Sequence, residues 1–147
     1  MITWAVKKFE ELTPAELYAI LRLRSEVFVV EQHCVFLDMD NKDQSCYHLM
    51  GNQDGNLVAY TRLVPPGISY KEPSIGRVVT STSVRGSGAG KLLMKKSIEE
   101  AERLFGKVSV KIGAQFYLKK FYNSLGFEQS SEMYDEDGID HIEMIRR

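Results

Sequence analysis

With 147 residues, 44% of them hydrophobic and 27% charged, the chain has the make-up of one ordinary globular domain able to bury its own core without disulfides or metal. Nineteen Lys and Arg against twenty Asp and Glu leave a net charge of −1, which argues against a dedicated nucleic-acid binder, because such a protein needs a basic face to displace counterions. No apolar run approaches the ~20 residues that cross a bilayer, and Met1-Ile2-Thr3-Trp4-Ala5-Val6-Lys7-Lys8 lacks the h-region of a signal peptide, so a cytoplasmic protein with no membrane partner is expected.

Trp4 to Phe9 reads as a first strand. Thr13, Pro14 and Glu16 then spell a helix start, with an N-cap hydroxyl, a proline at the first helical position and a capping-box carboxylate. Leu17, Ile20, Leu21 and Phe28 fall near one face of that helix with Arg24 on the same stripe, either at the rim of the core or aimed into a site. From Glu31 to Cys46 the pattern breaks into an irregular loop. Asp38-x-Asp40-x-Lys42 has an EF-hand rhythm, but a lysine stands where a third oxygen ligand belongs, which excludes calcium. His33, Cys34, Cys46 and His48 invite a zinc reading. Adjacent residues of an extended segment point apart, however, and the Cys-x-x-Cys knuckle is missing, so two free thiols and no metal are expected.

A hairpin follows, from Tyr47–Met50 through a turn-rich cluster to Leu57–Leu63, and Ile75 to Ser81 reads as the fourth strand. A helix from about Gly88 to Phe105 stops at Gly106, and Val108, Val110 and Ile112 alternate as a fifth strand. Gln115 to Leu125 reads as a short amphipathic helix, and strands from Phe127 and from Ile139 to Ile145 close the chain around a turn at Glu136-Asp137-Gly138. Without repeats or linkers, residues 1–147 form a single α+β domain with a mixed sheet.

Between the fourth strand and its helix lies Arg85-Gly86-Ser87-Gly88-Ala89-Gly90-Lys91. A helix N-terminus carries N–H groups without internal partners and a dipole that favours anions, and glycines let a diphosphate approach the backbone. The spelling fails as a Walker A loop, because Gly90-Lys91 is followed by Leu92, and fails as a dinucleotide fingerprint, because position 91 is lysine. What remains, Arg-x-x-Gly-x-Gly, resembles the coenzyme A loop of the GNAT superfamily of N-acetyltransferases; the plain alternative is a flexible turn.

Downstream, Phe121-Tyr122-Asn123-Ser124-Leu125-Gly126-Phe127 resembles a second GNAT motif. Val27 to Gln32, Ile75 to Val79, Ala114-Gln115 and Glu136 to Met144 are similar to the ElaA-like branch, so the resemblance covers the chain from about Leu17 onward. It implies the GNAT fold, a central mixed β-sheet splayed between strands 4 and 5 and flanked by helices, with acetyl-CoA as acyl donor wedged into the opening. Val35, Thr82 and Asp140 stand where that branch tends to have proline, and Asp140 adds negative charge near the implied acceptor mouth.

The resemblance implies N-acetyl transfer to the primary amine of a small molecule or peptide, by direct attack on the thioester. Backbone of Val78, Val79 and Thr80 would pair with the donor's pantetheine arm and supply an N–H to the oxyanion, while residues 85–91 hold its pyrophosphate. Tyr122 would contact the donor and protonate the leaving thiolate, a phenol of ordinary pKa ~10 being close enough to a thiol for useful transfer. For the base, Glu31 stands first, with His141, His48 and Asp137 as alternatives, each of which has an ordinary structural reading as well. Arg24, His48, Arg62, Arg77, Gln115 and Asp137 are the expected acceptor-side residues. The family also leaves a homodimer open. A non-catalytic acyl-CoA-binding or regulatory module is the rival from another class; it would keep the glycine turn but would have no use for Tyr122 facing polar groups.

Overall fold

The computed structural model describes residues 1–147. β1 (Thr3–Lys8), β2 (Tyr47–Gln53), β3 (Asn56–Val64) and β4 (Ser74–Thr80) form one antiparallel sheet in the order β1-β2-β3-β4. β5 (Val110–Gln115), β8 (Ile139–Arg146), β6 (Glu128–Gln129) and β7 (Tyr134–Glu136) form a second, in which β5, β6 and β7 each pair with β8. The two sheets meet where Lys111 N–H donates to the Pro73 carbonyl at 3.0 Å, at the start of β4 and β5. Beyond that bond the two strands run in the same sense, share no ladder and line a common cleft. This is the splayed mixed sheet expected from the sequence.

α1 (Pro14–Arg24) starts as predicted: Thr13 Oγ1 accepts from Glu16 N–H at 3.1 Å, and the Glu16 carboxylate accepts from Thr13 N–H at 2.9 Å. The helix does not stop at Arg24 but widens into a π-helical turn, Ser25–Glu31, that delivers Glu31 and Gln32 to the cleft. α2 (Ala89–Phe105) ends at Gly106. The predicted helix 115–125 is shorter in the structure: a 3₁₀ turn at Phe116–Leu118 leads into α3 (Lys119–Asn123), and Gly126, at φ 94°, ends it.

β3 is covered on both faces, which explains its nearly unbroken burial. Ala59 and Leu63 belong to the main core with Leu93 and Met94 of α2, and Thr61 Oγ1 meets Ser97 Oγ of α2 at 2.8 Å. Tyr60 faces the other way, packing with Ile20 and Leu23 of α1. The main core continues through Ile112, Tyr122, Phe127 and Ile142, so it passes beneath the split and ties the sheets together.

Arg24 is not at the rim. It has no exposed surface, and its guanidinium bonds Asp38 (Nε to Oδ2, 2.8 Å) and Asp43 (Nη1 to Oδ1, 2.9 Å). Arg62 holds Asp40 with both terminal nitrogens at 2.8 Å and reaches Asp43 at 3.0 Å, while Arg77 holds Asp38 at 2.9 Å. Three aspartates of the irregular loop are thereby pinned by three arginines from α1, β3 and β4. His48, also expected on the acceptor side, is sealed in the core: Nε2–H donates to the Asp43 carbonyl at 2.9 Å, and Nδ1 accepts from Tyr60 Oη at 2.6 Å. With both nitrogens used, and with burial pushing its pKa down, His48 is a neutral structural residue, neither acceptor-binding nor a base. Arg24 and His48 are corrected for one reason: side chains on the loop side of the sheet are consumed in fastening the loop.

Candidate active site

β4 and β5 diverge around two joined cavities. One, of about 580 Å³, is lined by Val78, Val79, Thr80, Arg85 and Gly90 on one side and Tyr117, Phe121 and Tyr122 on the other. The second, of about 140 Å³, is lined by Arg77, Gln115, Tyr122, Asp137 and His141, among others. Phe28, Gln32, Val78, Leu118 and Tyr122 belong to both walls. Val79, Thr80, Arg85 and Gly90, expected at the donor, line only the larger of the two, and Arg77, Gln115, Asp137 and His141, expected at the acceptor or as base, only the smaller, with Val78 and Tyr122 in the wall of both.

The glycine turn has the properties of an anion cradle. Gly86 and Gly88 have φ of 82° and 84°, a region that side-chain-bearing residues avoid. The N–H groups of Gly86, Gly88, Ala89, Gly90 and Lys91 find no backbone carbonyl, whereas Ser87 N–H reaches Val84 O at 3.4 Å. A Cβ built on Gly86, Gly88 or Gly90 meets nothing within 4 Å, so the space outside these amides is open. Unpaired donors, a helix N-terminus and free space form the donor set a diphosphate requires. β4 presents its outer edge to the same cleft, and a bulge disturbs its register: Arg77, at φ 50°, is the extra residue between the Tyr60–Val79 and Arg62–Gly76 pairs.

Arg85 bridges the mouth. Its guanidinium pairs with both carboxylate oxygens of Glu31, one at 2.7 Å, and reaches the Thr80 carbonyl at 3.2 Å. The partner of Glu31 is therefore Arg85. The Arg85 hydrogen bond holds the Glu31 pKa below the usual carboxylate range. A paired carboxylate of depressed basicity, lining the larger cavity only, is badly placed to take a proton from an amine.

Tyr122 is 5% exposed, its ring set edge-on against Phe121 and Phe127. Its hydroxyl has no protein partner, yet it is not among the sealed, unsatisfied atoms, so it opens to the cleft. Burial pushes its pKa up to about 12. His141, 8% exposed, lines the smaller cavity. Its Nδ1–H donates to the Ile139 carbonyl at 2.8 Å, and Nε2 faces the Glu136 carboxylate, with Oε2 at 3.3 Å. Gln115 donates to the Gln32 side chain at 3.3 Å, linking the end of β5 to the turn after α1. Arg62 lines neither of these cavities but an adjoining one.

Sequence reasoning missed Phe28, Gln32 and Cys34 as lining residues. Only the π-helical turn brings the first two inward, and nothing in the helical periodicity announces it. Cys34 and Cys46 are free and buried.

The acetyltransferase (GNAT) domain family matches residues 12–147. Protein ElaA of Escherichia coli is 40% identical over 148 residues, covering 99% of this chain and 97% of ElaA, and its crystal structure superposes with a TM-score of 0.93 over the full length of both chains. The crystal structure of an acyl-CoA N-acyltransferase from Pseudomonas aeruginosa is 43% identical and superposes with a TM-score of 0.96, again over both full lengths. With its split sheet, open glycine turn and full-length similarity to these proteins, the chain belongs to the GNAT acetyltransferase family, in the ElaA-like branch.

Proposed function

We propose that the protein is an acetyl-CoA-dependent N-acetyltransferase that transfers the acetyl group to a primary amine by direct attack on the thioester. The observation that carries this reading is that the open hydroxyl of Tyr122 lies in the wall shared by the cavity reaching the glycine turn and the cavity holding His141. Membership of the acetyltransferase family and similarity to a protein described as an acyl-CoA N-acyltransferase support it.

Bound acetyl-CoA supplies an activated acyl carbon; positioning and proton handling fall to the protein. The free N–H groups at residues 86 and 88–91 take the pyrophosphate, Arg85 exchanging Glu31 for phosphate oxygens, and the outer edge of β4 at Val78–Thr80 aligns the pantetheine arm. The incoming ammonium must lose a proton before it can attack, and His141 Nε2 receives it, with Glu136 beside it to steady the imidazolium. As the carbon–sulfur bond breaks, the second proton of the attacking nitrogen passes to the departing sulfur, to which Tyr122 Oη donates a hydrogen bond. At about 12 it is a weaker acid than an ordinary phenol, so its main contribution is a donor aimed at developing charge rather than complete proton transfer.

Three measurements test this assignment. Acetyl-CoA at ~100 times its Kd should add about 2.7 kcal/mol of stability, seen as a rise in Tm, and no rise at millimolar donor counts against the reading. Gly90→Val places methyl groups in the open space outside the turn without backbone strain, because Gly90 lies outside the left-handed region. It should weaken donor binding by about a hundredfold or more, the loss expected when several charge-assisted hydrogen bonds are blocked, and leave Tm of the free protein nearly unchanged. His141→Asn should lower kcat about a hundredfold, the contribution of a general base, whereas Glu31→Gln should leave it within a few-fold. The reverse ranking would return the base to Glu31.

A further inference from the structure

The cavity beside Tyr122 and His141 adjoins another of about 370 Å³, with which it shares Phe36, Arg77, Gly113, Glu136 and Asp137 among its walls. Gly113, in the wall of both cavities, stands on β5 opposite Glu143 of β8, next to the Gln115–His141 pair that serves the smaller cavity alone. Gly113 has no left-handed φ to explain it. A Cβ there would instead lie 3.0 Å from Tyr70 Oη and 3.3 Å from Tyr134 Oη. Two phenols from separate segments, the 65–73 loop and β7, converge above one missing side chain. Neither hydroxyl has a protein partner, and neither is sealed from solvent. The Tyr134 ring stacks on His141 at 5.9 Å and 28°, so the hydroxyl pair sits next to the proposed base.

The charges around this cavity are unevenly spoken for. Arg62 and Arg77 are neutralised by Asp38, Asp40 and Asp43, and Glu143 has Lys111 at 3.5 Å. Lys42 lines the cavity with no carboxylate within 4 Å; its Nζ donates only to Ser69 Oγ, at 3.3 Å. Arg62 Nε, in the same wall, is the one sealed side-chain polar atom of the protein without a partner. Glu136 and Asp137 stand at the junction with the reaction cavity, whereas Lys42, Ser69, Tyr70 and Tyr134 line only the far part.

We propose that the far cavity binds a carboxylate carried by the acceptor, which makes the substrate class an amino-acid-like primary amine: nitrogen at His141 and Tyr122, carboxylate held by Lys42, Tyr70 and Tyr134. The nitrogen end rests on the transferase reading above; the carboxylate end rests on the cavity alone. Burial pushes Tyr70 up to about 12 and Tyr134 upward too, so both phenols stay protonated donors at neutral pH. Acid at the amine end and a free lysine at the other match the polarity of a zwitterion, and a second ammonium would be repelled at Lys42.

The test is calorimetric titration of the coenzyme A-loaded protein with sets of three amines sharing one carbon chain: an amino acid, the alkylamine lacking its carboxylate, and the diamine with an amino group in its place. Chains of two to five carbons are used. In at least one set the amino acid is expected to bind about tenfold or more tighter than both companions, as hydrogen bonds to a charged group predict. Lys42→Ala, and separately the double change Tyr70→Phe with Tyr134→Phe, should reduce that preference to threefold or less, on the order of losing the charge-assisted bonds, with coenzyme A affinity as the control for folding. Equal or tighter binding of the alkylamine or diamine in every set, or no binding by any amino acid, overturns the proposal. Thiol release from acetyl-CoA with the same amines reads the transferase assignment separately. Carboxylate preference without thiol release keeps the cavity and sinks the transferase; thiol release without carboxylate preference does the reverse.

Discussion

Replacement of Tyr122 by Phe is expected to lower kcat on the order of 10²–10³-fold, the loss seen when a single donor to developing charge is removed from a dry site, with KM for acetyl-CoA within about twofold. The substitution keeps the ring, its edge-on contacts with Phe121 and Phe127 and its part in the main core, and removes one hydroxyl that bonds to nothing else in the protein. Tm should therefore hold, and because no buried partner is stranded, a fall in kcat reports on the reaction alone. A wild-type pH profile should show no tyrosine ionisation below pH 10, since burial holds the phenol up to about 12. Steady-state kinetics at saturating amine decide the matter: an unchanged kcat would reduce Tyr122 to a packing residue.

The other large effect expected is on stability. Arg24→Leu removes a side chain with no exposed surface and takes one partner each from Asp38 and Asp43. Breaking a buried ion pair from one side costs ~3–5 kcal/mol, and the lower end applies here because Arg77 still holds Asp38 and Arg62 still holds Asp43. In a domain of this size that is a fall in Tm on the order of 10 °C. KM for the amine should rise as well, because the same loop carries Cys34 and Phe36 in the wall of the smaller cavity. Acid should imitate the mutation. Burial alone would raise the pKa values of Asp40 and Asp43, but the hydrogen bonds and charge of the arginines outweigh it, so both are depressed in the folded state. A carboxylate whose folded pKa lies below its unfolded value of ~3.9 contributes its full stability above that pH and loses it as the pH falls toward the folded value. Thermal melts from pH 7 down to pH 3 should accordingly show a steep loss below about pH 4 in the wild type and a shallower one in Arg24→Leu.

What could be read from the sequence was whatever is written locally. Thr13, Pro14 and Glu16 name a helix start within four residues, and residues 85–91 spell a glycine turn whose open amides belong to its own backbone. The ion network could not be read in the same way. Its partners lie 14 to 39 positions apart, and each arginine, taken alone, is as consistent with binding a substrate as with fastening a loop. The one available hint was arithmetic, three aspartates within six residues of an otherwise uncommitted loop. Glu31 misled for a related reason: its neighbours in sequence suggest the acceptor side, but the π-helical turn rotates it toward Arg85, 54 residues away. The break between β6 and β7 also escaped, because Ser130 to Met133 carry no proline or glycine to mark it.

The partition around Tyr122 has a kinetic consequence. With donor and amine reaching the hydroxyl through separate chambers, as proposed above, the two would occupy the protein together, and the acyl group would never need to rest on a side chain while one departs to admit the other. Initial-rate plots against donor at several amine concentrations should then converge to a point instead of running parallel.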